Sequence, residues 1–292
     1  MTVQLDGSLP GLHGGLPAAS VMEAARFAYR FLLRKFWTVL SLVWLPLVLA
    51  SVSLYVCVMG YLAELLRYLA NPSPEIASLA LGLLALGVFV ALFFWSIAVA
   101  AITNLALGEA VPNTWLHLRA RLQEWRLYAG YLRFLLLIGL LAGGLAFFFT
   151  SIEPLLPASS MSASILTLAI FAAIFWFTVR VSFLIPPIVA TTSGTILRAA
   201  WRKSEGYGWR IAGLMLILLV PAMVTHGLGE FVLSQAGGPV IRSGSTVADY
   251  ARAAEQGLGV FLIFFTIASF FAITLLTAGA TAFFRQISQP RG

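Results

Sequence analysis

Charged residues are scarce in this chain. Only 10% of its 292 residues are charged, whereas 60% are hydrophobic and the mean hydropathy is +0.95. An ordinary soluble domain has about a quarter of its residues charged, so the composition excludes a water-soluble globular fold. It predicts a polytopic membrane protein instead.

Cysteine and histidine are also rare, which limits the available chemistry. The single cysteine, Cys57, excludes an intrachain disulfide and a thiolate metal cluster. Of the three histidines, only His226 has a carboxylate, Glu230, at a helical spacing of four residues. Two ligands do not make a metal site, so we interpret this pair as an interfacial contact. No catalytic or nucleotide-binding motif is present, and we predict neither enzymatic activity nor a cofactor.

Six long apolar runs dominate the sequence. Each is near the roughly 20 residues that a helix needs to cross a hydrocarbon core of about 30 Å. A helix satisfies its own backbone hydrogen bonds in lipid, and the runs lack the two-residue alternation of a membrane barrel. The sequence therefore predicts an all-α fold with six transmembrane helices. We place them at 36–60, 76–105, 134–151, 165–190, 211–228 and 258–284.

The basic residues are distributed unevenly between the loops that join these runs. Fifteen of the 18 lie in the segments on the same side as the N-terminus. The positive-inside rule therefore predicts that both termini are cytoplasmic. The excess of Arg over Lys and the abundance of Ala favour a bacterial source, and hence the inner membrane.

A basic segment precedes the first predicted span. Ser20 and Glu23 have the spacing of a capping box that begins a helix. Arg26, Arg30 and Arg34 then recur every four residues on one helix face, with apolar residues opposite. This pattern predicts an amphipathic helix on the inner membrane surface.

Basic and tryptophan residues return before the fifth span, and less clearly before the third. Those before the fifth are Arg198, Trp201, Arg202, Lys203 and Trp209. The recurrence indicates three units, each a surface helix followed by a transmembrane hairpin. The alternative is that any inner juxtamembrane segment is basic and aromatic.

These features predict the domain organisation of the chain. A single membrane domain occupies 20–285, with its three units at about 20–76, 113–163 and 195–284. A disordered tail at 1–19 precedes it, and a short tail at 286–292 follows.

The stretch RVSFLIPPIVATTSGTILRAAWRKSEGYGWRIAGLMLILLVP, residues 180–221, supports a family resemblance. It resembles part of the six-helix membrane domain that some bacterial glycerophosphodiester phosphodiesterases carry ahead of their catalytic domain, and related stand-alone bacterial membrane proteins. The matched positions are Arg180, Pro186, Gly194, Ala199, Trp201, Ser204, Gly206 and Trp209. The catalytic domain has no counterpart here, so the resemblance implies fold and membrane location and not hydrolysis.

Arg180 is the one clear charge within a predicted span. It either contacts an anionic headgroup or substrate, or it extends to the inner interface or pairs with Glu109. The lack of other charges at mid-depth argues against an ion-coupled transporter.

We therefore predict a non-enzymatic scaffold or accessory protein. Its basic cytoplasmic collar would contact the anionic headgroups of membrane lipids or a protein partner, and not nucleic acid. The collar consists of Arg26, Arg30, Arg34, Arg180, Arg198, Trp201, Arg202, Lys203 and Trp209. A transporter of hydrophobic or amphiphilic molecules is the alternative.

Overall fold

The structure is a computed structural model that describes residues 20–109, 118, 121–152, 161–192, 194–235 and 247–288. These residues form eight helices and no strand, which confirms the all-α prediction. The helices are α1 (Val21–Ala70), α2 (Pro74–Leu107), α3 (Leu122–Ile152), α4 (Met161–Ser182), α5 (Ile185–Thr191), α6 (Ile196–Lys203), α7 (Gly208–Gln235) and α8 (Val247–Ser288). The predicted tail at 1–19 lies outside the described residues.

Six helical segments are long and apolar enough to cross a membrane. They are Val21–Tyr68, Pro74–Leu107, Leu122–Gly144, Phe171–Thr191, Gly208–Val232 and Leu262–Ser288. Each overlaps one of the six predicted runs, so the six-span prediction is confirmed for the part of the chain that the structure describes.

The long helices pack as one bundle. α1 packs on α2, α2 on α3, α3 on α4, α4 on α7, α7 on α8, and α8 on α1, and α2 also contacts α8 and α1 contacts α7. The α1–α2 contact is the most extensive, followed by α1–α8 and α7–α8. The short α5 contacts α2, α3, α6 and α8, and its first five residues are buried, so it is packed within the bundle.

The fourth predicted run, 165–190, is not one continuous helix. α4 ends at Ser182, and α5 begins after a two-residue turn. Pro186 and Pro187 occupy the first turn of α5, where their missing N–H groups are tolerated. In a continuous helix the same prolines would remove two backbone hydrogen bonds. The proline pair therefore explains the break.

The basic segment at the N-terminus is continuous with the first span. Its start is confirmed, because the Ser20 hydroxyl accepts a hydrogen bond from the Glu23 N–H at 3.2 Å. Lys35 has non-helical backbone angles, φ −115° and ψ 17°. The helix is therefore bent where the basic segment (21–35) meets the apolar span.

The apolar face of the basic segment packs against protein. Ala24, Ala25, Ala28 and Leu32 are buried in the core. A Cβ at Gly279 of α8 would lie 3.8 Å from the Ala28 Cβ, so the two helices approach closely through small residues. The expected helix on the membrane surface is therefore part of the bundle, because α8 offers a complementary surface to its alanine face.

A hydrogen bond from Tyr29 also joins the basic segment to α7. Pro221 lies inside α7 and has no N–H, so the carbonyl four residues earlier, that of Ile217, loses its helical donor. The Tyr29 hydroxyl donates to this carbonyl at 2.8 Å. A side chain of one helix thus replaces the backbone hydrogen bond that proline removes from another.

Hydroxyl side chains contribute to the contact between α1 and α8. The Thr266 hydroxyl donates to the Ser51 hydroxyl at 2.9 Å. Thr277 and Thr281 are buried further along α8, and the Thr281 hydroxyl donates to the Thr277 carbonyl of its own helix. Small hydroxylated residues allow spans to pack closely, although the buried Thr274 hydroxyl of α8 has no hydrogen-bond partner among the described residues.

Candidate functional site

The collar residues of α1 line a concavity on the basic segment. Its volume is about 500 Å³, and its lining residues are Glu23, Arg26, Phe27, Arg30, Phe31, Arg34 and Lys35. Its four cationic side chains, those of Arg26, Arg30, Arg34 and Lys35, are all exposed. Glu23 supplies the single carboxylate of the concavity. Among the described residues, none of these cations forms an ion pair. The concavity can therefore accept an anionic group without first breaking a salt bridge.

Arg180 lies at the junction of α4 and α6. Its guanidinium carbon is 4.0 Å from the centroid of the Trp201 ring, and its Nε donates to the Ser204 hydroxyl at 3.3 Å. A cation–π contact of this kind contributes about 0.5–2 kcal/mol. The described contacts of Arg180 are with α6 and not with Glu109, which the sequence offered as a partner.

The remaining basic collar residues lie on α6. Lys203 contacts α8, since its Nζ lies 5.7 Å from the Phe284 ring centroid and 3.4 Å from the Ser288 hydroxyl. Arg198 and Arg202 are exposed, and neither forms an ion pair with any residue that the structure describes. The structure therefore places Arg180, Trp201 and Lys203 in helix contacts and leaves Arg198 and Arg202 on the surface.

Trp209 is 81% exposed at the start of α7. Its ring lies against that of Trp176, with the two centroids 4.5 Å apart. Gly208 allows this approach, because a Cβ there would lie 2.3 Å from a ring carbon of Trp176. Tryptophan is enriched where a membrane meets water, and the exposed Trp209 suits that position.

Two arginines outside the predicted collar bind the C-terminal ends of helices. Arg285 donates from Nη2 to the carbonyl of Leu107, the last residue of α2, at 2.6 Å. Arg126 donates to the carbonyl of Thr192, which follows α5. The last carbonyls of a helix lack backbone donors and carry partial negative charge, so such cations contribute about 0.3–1 kcal/mol each. The positive-inside count alone gave no sign of this role.

Polar side chains also join α2 to α3 near the same ends. The amides of Asn104 and Gln123 exchange two hydrogen bonds, at 3.0 and 2.8 Å. Glu124 is 4% exposed, and its carboxylate accepts from the Arg121 N–H at 2.8 Å. This end of the bundle is thus fixed by side chains that complete hydrogen bonds at helix termini.

The described residues hold no group of three or more His, Cys, Asp or Glu side chains that could bind a metal. His226 and Glu230 do meet, with 3.3 Å between Nε2 and Oε1, and both side chains are exposed. The pair is therefore a contact on the protein surface.

The apolar spans define the chain as a multi-pass integral membrane protein. Comparisons with protein-family models, curated proteins and solved structures found no match to it. Since fold alone does not specify function, the geometry of the collar is the guide to what the protein does.

Proposed function

We propose that the protein is a non-enzymatic scaffold or accessory protein of the bacterial inner membrane, whose collar binds anionic lipid headgroups. The observation that carries this proposal is the concavity on α1, in which four exposed cations face one carboxylate. Each basic residue near an anionic leaflet contributes about 1 kcal/mol of attraction. Arg26, Arg30 and Arg34 together would therefore contribute roughly 3 kcal/mol.

Membrane anchoring does not require this attraction. Six spans already make insertion effectively irreversible, and the apolar face of the basic segment is buried in the bundle. The collar charges therefore have a different role, which is to bind anionic molecules next to the protein. We favour lipid over an acidic protein because Trp37 and Trp209 are 78% and 81% exposed, and such residues collect at membrane interfaces.

A transporter of hydrophobic or amphiphilic molecules is the second candidate. An apolar concavity between α1 and α8 favours it. The buried hydroxyls of Ser96 and Thr103 argue against it, since both donate to carbonyls of their own helix. Coupled carriers usually place ionisable residues at mid-depth, where these groups bind substrate or protons.

The resemblance of residues 180–221 to the membrane domain of bacterial phosphodiesterases remains part of this proposal. It concerns fold and membrane location alone. Three of the matched positions, Arg180, Trp201 and Ser204, are in contact in this structure.

The proposal is tested by neutralising six collar charges in the full chain. The variant changes Arg26, Arg30, Arg34, Arg198, Arg202 and Lys203 to Gln. It should stay inserted in nanodiscs while its enrichment of phosphatidylglycerol over phosphatidylcholine falls, most strongly at low salt, because salt screens exposed charges. Arg67→Gln, at the opposite end of α1, is the matched control and should leave the enrichment unchanged.

Two results would count against lipid binding by the collar. If lipid enrichment persisted in the six-charge variant while a soluble protein dissociated, the collar would bind a protein partner. If neither changed, the basic residues would serve only as topology signals.

A further inference from the structure

An apolar groove lies between α1 and α8, next to the concavity of the basic segment. Its volume is about 220 Å³, with one wall between Phe36 and Val48 and the other between Thr266 and Phe271. Of its lining residues, Thr266 carries a hydroxyl, which is already hydrogen-bonded to Ser51 and the Leu262 carbonyl. Hydrocarbon is therefore the chemistry that fits this groove.

The cationic concavity and the apolar groove meet at consecutive residues. Lys35 lines the concavity, and Phe36 lines the groove. The bend of α1 is at Lys35, and the Cα atoms of Lys35 and Phe36 are about 3.8 Å apart. A molecule with an anionic head and an apolar tail could place its head in the concavity and its tail in the groove.

The α1 wall of the groove is about as long as one membrane leaflet is thick. Its lining residues run from Phe36 to Val48, a rise of about 18 Å at 1.5 Å per residue, whereas the α8 wall from Thr266 to Phe271 rises about 8 Å. One leaflet occupies about half of the 30 Å hydrocarbon core. Trp37 at the charged end is 78% exposed, which suits the membrane interface where tryptophan is enriched. An acyl chain of the same leaflet can thus run along the groove from a headgroup beside Lys35.

We propose that one anionic phospholipid binds at this position, with its phosphate at Arg34 and Lys35 and one acyl chain between α1 and α8. This inference rests on the proposed function and adds a location and a stoichiometry to it. A zwitterionic lipid would bring a quaternary ammonium into a concavity that already holds four cations, so charge repulsion disfavours it. Free phosphate lacks the chain that fills the groove.

Native mass spectrometry of the full chain tests the site. The protein is extracted in mild detergent with phosphatidylglycerol and phosphatidylcholine of identical chains, and the retained lipid is counted. Arg34→Gln with Lys35→Gln should lower retained phosphatidylglycerol about thirty-fold, the effect of two charges near a leaflet. Ile267→Trp should abolish the retention of phosphatidylglycerol, because Ile267 lines the groove and is 42% exposed, so a larger side chain there would occupy the space of the acyl chain.

Matched controls use the same kinds of substitution away from the site. Ile263→Trp lies one turn away on α8, at a residue that is 61% exposed and does not line the groove. Arg121→Gln with Arg133→Gln removes the same charge from two exposed residues outside the collar. Both controls should retain the single phosphatidylglycerol, and circular dichroism should show native helix content in every variant.

The outcomes separate this site from the general proposal. If the wild-type protein prefers phosphatidylglycerol but Ile267→Trp retains it fully, the groove is not the site and lipid binding by the collar stands. If the wild-type protein retains both lipids equally, the site and the proposed function both fail.

Discussion

The hydrogen bond between Tyr29 and the Ile217 carbonyl provides a quantitative test of how the basic segment is attached to the spans. Tyr29→Phe removes the donor at 2.8 Å and leaves a partly buried carbonyl that Pro221 has already deprived of its helical partner. Interhelical hydrogen bonds in membranes contribute about 0.6 kcal/mol on average and up to about 1.7. An unsatisfied buried acceptor costs about 1–3 kcal/mol. We expect Tyr29→Phe to lower the free energy of unfolding by about 1.5 kcal/mol.

Replacing the proline should reduce the effect of losing the hydroxyl. In Pro221→Ala, residue 221 regains an N–H that can donate to the Ile217 carbonyl. Tyr29→Phe should then cost only about 0.5 kcal/mol, which gives a coupling free energy of about 1 kcal/mol. The coupling is obtained from the unfolding free energies of the wild type, the two single variants and the double variant. These are measured by reversible unfolding in mixed micelles of mild detergent and dodecyl sulfate, followed by circular dichroism.

Pro46 provides the control for this cycle. It also lies inside a helix, α1, but about 25 Å along that helix from Tyr29. Tyr29→Phe and Pro46→Ala should therefore be additive to within about 0.5 kcal/mol. Additivity of Tyr29→Phe with Pro221→Ala as well would refute the argument that the hydroxyl replaces the donor lost at the proline.

Three further predictions concern packing, topology and the exposed pair. A Cβ at Gly87 would lie 2.6 Å from the Cys57 Cβ, whereas a Cβ at Gly82 would meet no atom within 4 Å. In the same micelle assay, the free energy of unfolding of Gly87→Ala should therefore be about 1–3 kcal/mol lower than that of Gly82→Ala. His226→Ala removes an exposed contact and should change the unfolding free energy by less than about 1 kcal/mol. Stoichiometric zinc bound by the wild type but lost in this variant would contradict the interpretation of the pair as a surface contact. Reporter fusions at six sites test the orientation, and an outer signal at Lys203 would contradict it. Fusions after Asn71, Ser159 and Ser243 should report the outer compartment. Fusions after Glu109, Lys203 and Arg291 should report the cytoplasm.

The spans were predictable from sequence because run length and hydropathy reflect a local requirement. Every backbone group in lipid needs an internal partner, so an apolar run of sufficient length must be helical. The fourth run was predicted without its break, although Pro186 and Pro187 are visible in the sequence. Hydropathy does not register the lost hydrogen bonds, because proline sits within an otherwise apolar run.

The surroundings of the basic segment were not predictable in the same way. Its alternation of basic and apolar faces correctly indicated a helix that begins after Ser20. Lipid and the interior of a helix bundle are equally apolar, so the pattern does not distinguish which of them covers the alanine face. The contact of Ala28 with α8 at Gly279 depends on the packing of elements that are distant in the chain.

Long-range hydrogen bonds account for most of what the sequence did not reveal about the candidate site. Arg285 donates to a carbonyl 178 residues away, and Tyr29 to one 188 residues away. No spacing rule relates such positions. Pro221 indicates that the Ile217 carbonyl lacks a helical donor, but it does not indicate which distant side chain replaces that donor. The exposed cations Arg26, Arg30 and Arg34 were identified correctly as one face, because their spacing is local to a helix.

Photolabelling tests most directly whether an anionic lipid occupies the groove between α1 and α8. The full chain is reconstituted with phosphatidylglycerol that carries a photoreactive group on one acyl chain, irradiated, and mapped by peptide mass spectrometry. We predict that labels concentrate between Phe36 and Val48 and between Thr266 and Phe271, and that phosphatidylcholine with the same chain labels these segments far less. Equal labelling by both lipids, or labels spread evenly over all six spans, would contradict the assignment.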